Sequence, residues 1–166
     1  MSLLAASLIF PSTMAWAGLM DLMTMKIRNS LVLFLLVAYA VMAPMAGFGI
    51  ALIASSALVA LLVLVCAFTL FALGWMGGGD AKLAAAAALW IGADQAFAFA
   101  VWTMLLGGVL TLALLLFRSY ALPLSWYGRA WIERLHARET GVPYGVAIAA
   151  AALVVFPATA WMTVLA

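Results

Sequence analysis

Residues 49–74 read GIALIASSALVALLVLVCAFTLFALG, a run without a single charged side chain. At a rise of about 1.5 Å per residue it makes a helix of roughly 40 Å, longer than an apolar bilayer core of about 30 Å. It can therefore cross a membrane with some tilt. Comparable apolar runs lie on both sides, at 3–20 and 30–46 before it and at 96–117 and 143–165 after it. Pro44 and Gly47 stop the second run, and Gly77-Gly78-Gly79-Asp80 breaks the chain after the third. An Ala-rich stretch at 81–92 then forms a short fourth helix, about 18 Å long, which cannot cross the core alone. It either extends through Asp94-Gln95 or sits inside a protein-lined cavity. The fold expected is all-α: a polytopic membrane helical bundle of about six helices with a short fourth helix, forming one integral membrane domain over 1–166.

Composition supports lipid as the solvent. Of 166 residues, 70% are hydrophobic and 7% charged, against roughly 25% charged in a soluble domain. The net charge of +2 gives no sign of a nucleic-acid partner, because the basic residues flank apolar runs, where they orient membrane proteins. The single cysteine, Cys66, excludes an internal disulfide and a Cys-based metal site. No metal or cofactor is expected. The first apolar run ends in Ala15-Trp16-Ala17, which has the small-x-small form of a signal cleavage site. No Lys or Arg precedes it, however, so an uncleaved first span is expected.

Alternating the spans sorts the charges. Lys26 and Arg28 follow the first helix, Lys82 follows the third, and Arg118, Arg129, Arg134 and Arg138 follow the fifth. All seven basic residues fall on one side, and Asp94 alone carries charge on the other. The positive-inside rule makes the basic side cytoplasmic, with both termini outside. Within the 118–142 connection, a helix from Ser125 to about Glu139 would set Arg129, Glu133 and His136 against the apolar Trp126, Trp131, Ile132 and Leu135. That pattern reads as an amphipathic helix in the membrane interface.

Ionisable groups near a membrane core are costly and are functional candidates by default. Asp21 ends the first span and Asp80 follows the third, so both lie at the basic edge; Asp94 lies at the opposite one. Asp80 could simply cap the short helix, and Asp94 is an ordinary helix-start residue. Asp21 opposes the macrodipole at a helix C-terminus, unless Lys26 or Arg28 pairs with it. Two carboxylates sharing a site cannot both ionise easily, so one keeps a proton while the other activates water. Position on the macrodipoles favours charge on Asp80 and the proton on Asp21.

Other hydrolase patterns fail. There is no His-Glu-x-x-His, and the one histidine, His136, reads as a solvated loop residue. There is no Gly-x-Ser-x-Gly; Ser55 and Ser56 read as small packing residues. Gly77, Gly78 and Gly79 are not followed by Gly-Lys-Ser/Thr, so they do not read as a phosphate loop. They allow close backbone approach instead.

Three segments carry a resemblance. Gly77-Gly78-Gly79-Asp80-Ala81-Lys82-Leu83 is similar to the GxGDxKL signature of bacterial type IV prepilin peptidases. The segment from Asp21 through Ile27-Arg28-Asn29 resembles that family's first aspartate motif, and Pro143-Tyr144-Gly145 resembles its last. The resemblance implies an aspartic endopeptidase of the bacterial inner membrane, with catalytic loops cytoplasmic and Asp21 and Asp80 as the catalytic pair. Gly77, Gly78, Gly79 and Lys82 would shape the loop around them. It implies removal of the basic leader from a prepilin or pseudopilin partner, in contact with membrane lipid. The chain lacks the Cys-rich region linked to N-methylation, and so looks like the short Tad/Flp pilus form (CpaA/TadV type) without methyltransferase activity. Arg28 stands where the family usually has proline. The alternative from another class is a non-catalytic membrane component or a proton- or cation-coupled transporter using the Asp pair. Its only polar candidates at the other face are Asp94, Gln95 and Thr103.

Overall fold

The computed structural model describes residues 2–163, which form eight α-helices and, among these residues, no strand. They are α1 (Ser2–Thr24), α2 (Asn29–Met45), α3 (Ile50–Ala72), α4 (Gly78–Ile91), α5 (Ala96–Ser119), α6 (Ala130–His136), α7 (Tyr144–Val155) and α8 (Ala160–Thr163). The segments Ile50–Ala72 and Ala93–Ser119 are long and apolar enough to cross a membrane. The architecture is that of a helical membrane bundle.

The helices sort by side-chain size. In Leu- and Val-rich α3 only Ser56 and Ala67 are buried, and in α5 only Phe99, Gly107 and Leu114. In Ala-rich α4 the buried set includes Ala81, Leu83 and Ala84 through Ala88. In α7 it includes Ala147, Ala149, Ala151 and Ala152. Large aliphatic side chains lose nothing against lipid tails, whereas small ones let backbones approach, so the alanine helices form the centre. Helix α4 packs against α3, α7 and α2. At roughly 21 Å it is shorter than the apolar core, and protein rather than lipid encloses it. It does not extend through Asp94-Gln95, because Gly92 turns the chain at φ 80° into a 3-10 turn over Ala93–Gln95.

Three expectations need correcting. Helix α1 runs on to Thr24, ending where Met25 takes φ 52°, so Asp21 lies inside the last turns. The amphipathic helix of the 118–142 connection is only Ala130–His136. Ser125 belongs to a separate 3-10 turn, and Gly128, at φ 83°, donates its N–H to Glu133 Oε1 at 2.7 Å, turning the chain before the helix begins. The last span is interrupted at Phe156–Ala158. Pro157 cannot donate to the helical ladder, and Thr159 adopts ψ 165° while its hydroxyl bonds back to Phe156 O. The end of that expected span, after 163, lies outside the described residues.

An aromatic cluster closes the bundle at the end of α4 remote from Gly78. Trp90 and Trp161 stack with centroids 4.8 Å apart, and Phe10, Tyr39, Phe48 and Phe156 surround them. Both indole N–H groups are satisfied: Trp90 donates to Leu35 O and Trp161 to Trp90 O.

Candidate active site

Helix ends from distant parts of the sequence meet at the basic end of the bundle. Asp21 comes from the end of α1, Asp80 from the first turn of α4, and Pro143 precedes α7. All three line one cavity of about 510 Å³, with Met25, Lys26, Ile27, Gly77, Gly78, Gly79, Gly141 and Val142. Asp21 is 3% exposed.

Helix N-termini supply the local electrostatics. Helix α7 starts after Pro143 with no side-chain cap of its own, so its first amides need acceptors. Asp21 provides one, turned toward the amides of Gly145 and Val146 rather than toward Lys26 or Arg28. Asp80 is the third residue of α4 and faces back to the amide of Gly77, the residue preceding that helix. This is the reach of a capping-box side chain. Asp80 also faces the Gly145 amide and feels the charge of Asp21. Gly145 therefore lies between the two carboxyl groups. The positive end of α7 offsets the negative end of α1 at Asp21, so macrodipoles give no reason to assign the proton to Asp21 rather than Asp80. Asp21 Oδ2 is buried and has no hydrogen-bond partner.

Close packing holds this geometry. A Cβ at Gly145 would lie 2.7 Å from Ile27 Cδ1 and 2.8 Å from Asp21 Oδ2. A Cβ at Gly79 would lie 3.3 Å from Ile27 Cβ. Ile27 is thus wedged between α4 and α7, fixing the connection that follows Asp21. The wall at Gly141 is held from α5: Arg118 donates to Leu135 O, Thr140 Oγ1 and Gly141 O at 2.7, 3.2 and 2.9 Å. Arg134 on α6 donates to Met23 O at 2.6 Å, next to the end of α1.

Of the residues expected at the site, Asp21, Asp80, Gly77, Gly78 and Gly79 come together. Lys82 does not join them. Its Nζ donates to Asn29 Oδ1 at 3.2 Å, and it borders an apolar groove with Val32 and Leu64. Arg28 borders a groove between α1 and α2, and Asp94 lies past the far end of α4. His136 is half-buried rather than solvated, with Nε2 2.8 Å from Tyr120 O and its ring edge-on to Phe117. From the sequence alone, Ile27, Gly145 and Arg118 have no role at the site itself. The signals for the first two were the Ile of the first motif and the Gly of Pro143-Tyr144-Gly145.

Residues 8–112 match the family model described as the type IV leader peptidase family. The chain belongs to that family. The match spans more than half of the chain, from α1 into α5, and includes both Asp21 and Asp80. No curated protein and no solved structure matched the chain. Membership supports a leader-peptidase function of the prepilin type in a membrane-embedded protein. Among the described residues, no group of three or more His, Cys, Asp or Glu side chains is placed to hold a metal ion.

Proposed function

We propose that the protein is an aspartic leader peptidase in which Asp21 and Asp80 act as one unit on a water molecule. The observation that carries this reading is the shared cavity, where both carboxyl groups converge on the Gly145 amide. One carboxylate takes a proton from water as the oxygen attacks the scissile carbonyl, and the other, protonated, donates toward the developing oxyanion. The proton gained by the first then passes to the departing amine. No covalent enzyme intermediate forms. The glycines at 77–79 leave backbone open beside the pair, which suits an extended substrate segment.

The substrate is a prepilin or pseudopilin whose basic leader stays at the cytoplasmic face while its apolar segment enters the bilayer. The basic residues near the site favour that orientation. The chain is read as the short Tad/Flp form, trimming without N-methylation. A proton or cation relay is less well supported: past Lys82, α4 carries no ionisable side chain along the rest of its length toward Asp94. Co-expression with candidate prepilins tests the proposal. Leader removal by the wild type and its loss in Asp21→Asn and Asp80→Asn are expected; full processing by either variant overturns it.

A further inference from the structure

Arg28 has no part in the aspartate cavity; it borders a groove of about 490 Å³ between α1 and α2. Trp16 and Met20 of α1 and Leu31 and Phe34 of α2 supply its apolar walls. Ser12 and Thr13 close the inner end, where the Thr13 hydroxyl bonds to Ile9 O of its own helix. From Met20 to Ser12 the α1 wall runs roughly 12 Å along the helix axis. Phe10, Met14, Ala17 and Asp21 form the buried stripe of α1, at helical spacing. Thr13, Trp16 and Met20 lie on another stripe, and Trp16 is 58% exposed, so the groove opens away from the paired aspartates.

Arg28 is exposed, and its side chain makes no hydrogen bond or ion pair with any described residue. Lys82, at the groove on the other side of α2, differs: its ammonium already donates to Asn29 Oδ1. The helix ends near Arg28 offset each other, because α2 begins where α1 has just ended. The local field therefore comes from full charges. Lys26 stands two residues before Arg28, no Asp or Glu lines the groove, and Asp21 is turned into the other cavity. A positive head joined to an apolar trough fits an amphiphile with a negative head. The basic leader of the proposed substrate would instead be repelled by Arg28.

We propose that this groove binds an anionic glycerophospholipid, its phosphate on Arg28 and one acyl chain laid between α1 and α2 against Trp16 and Phe34. The planar guanidinium suits a phosphate because it donates two parallel N–H bonds. The exposed Ser30 hydroxyl, at the same end, adds a further donor. Apolar walls would hold any acyl chain, so the arginine decides which lipid stays. A zwitterionic headgroup carries its own cation and gains less from a positive site than a net-negative one.

Photo-crosslinking tests this. The protein is placed in phosphatidylcholine nanodiscs with a trace of phosphatidylglycerol bearing a diazirine midway along one acyl chain, and labelled peptides are located by mass spectrometry. Label should concentrate on residues 12–20 and 31–34, above the level on lipid-facing α3. Added phosphatidylglycerol should compete it away, and added phosphatidylethanolamine should not. Arg28→Gln should lower labelling about fivefold, the factor for one basic residue near a membrane surface, and Arg28→Lys should retain part of it. Size exclusion checks that both variants fold; the competition, run on the wild type, is decisive without them. Label spread evenly over the outer helices, equal competition by both lipids, or unchanged labelling of folded Arg28→Gln overturns the proposal and leaves ordinary surrounding lipid. Cross-linking of a second copy, or of a prepilin's apolar segment, to these residues in place of lipid overturns it as well.

Discussion

A Cβ added to Gly145 would sit 2.8 Å from Asp21 Oδ2 and 3.0 Å from Asp21 Cγ. The Asp21 carboxyl group therefore packs where a side chain at position 145 would begin. Gly145→Ala must displace both Ile27 Cδ1, 2.7 Å from the added carbon, and the Asp21 carboxyl group, or else the start of α7. Displacing a catalytic group by about 1 Å can cost on the order of a hundredfold in rate, so leader removal should fall by about that factor. Gly108→Ala, with nothing within 4 Å of the added carbon, is the matched control and should leave processing unchanged. Processing and membrane-inserted protein are measured together by immunoblot.

The carboxyl pair should behave as a unit. Asp21→Asn and Asp80→Asn should each lower cleavage by about 10²–10⁴-fold or more. The double variant should be no worse than the poorer single one, because each change already disables the pair. Asp94→Asn, beyond the opposite end of α4, should retain nearly full activity. Additive losses in the double variant would show that the two aspartates act independently.

Arg118 bridges three acceptors that belong to α6 and the loop after it. Arg118→Ala should cost about 1–3 kcal/mol of stability by leaving carbonyls unpaired. Because Gly141 and Val142 line the cavity, KM should rise more than kcat falls. Arg118→Lys should not restore the wild-type values, since one ammonium cannot replace a planar fork across three acceptors. Unfolding in bicelles and cleavage kinetics on a purified prepilin check both parts.

The sorting of helices by side-chain size makes a stability prediction. Ala87 is fully buried in α4, whereas Leu62 on α3 is 56% exposed toward the surrounding lipid. Ala87→Leu should destabilise by about 1–3 kcal/mol through overpacking. Leu62→Ala should change stability by only about 0.5 kcal/mol, because a lipid tail fills the space. Unfolding of the two variants measures both changes.

Orientation is tested with single cysteines in a Cys66→Ser background. A membrane-impermeant maleimide added outside intact cells should label Asp94→Cys and spare Tyr127→Cys. Labelling of Tyr127→Cys alone would place the paired aspartates on the outer side.

Most of the architecture was legible because lipid imposes length and hydropathy on each span. The 49–74 run, the short fourth helix and the one-sided charges all follow from that constraint. Breaks inside apolar sequence were harder to read. Pro157 sits in a run whose composition is otherwise that of a continuous span, and only the extended Thr159 reveals the interruption. Likewise, Gly128 ends one turn and delays α6, although the flanking residues have helical periodicity. The two aspartates stood out because charge is rare here. Gly145 and Ile27 carry no charge, and their importance lies in the space they leave or fill, which periodicity does not encode. The dipole argument for the proton assignment lost its ground for a related reason: the N-terminus of α7 reaches Asp21 from more than a hundred residues away in the chain.

The amides at the start of α7 have a consequence for how the enzyme responds to its medium. A carboxylate neutralised by lysine or arginine at the membrane edge would be weakened by mobile ions, which screen exposed charges over roughly 8–10 Å. Peptide dipoles fixed by the backbone beside buried Asp21 neither exchange with dissolved salt nor move with a flexible side chain. Under the proposed role of Asp21, ionic strength should change how a basic leader approaches the surface while leaving the bond-breaking step itself nearly indifferent to it.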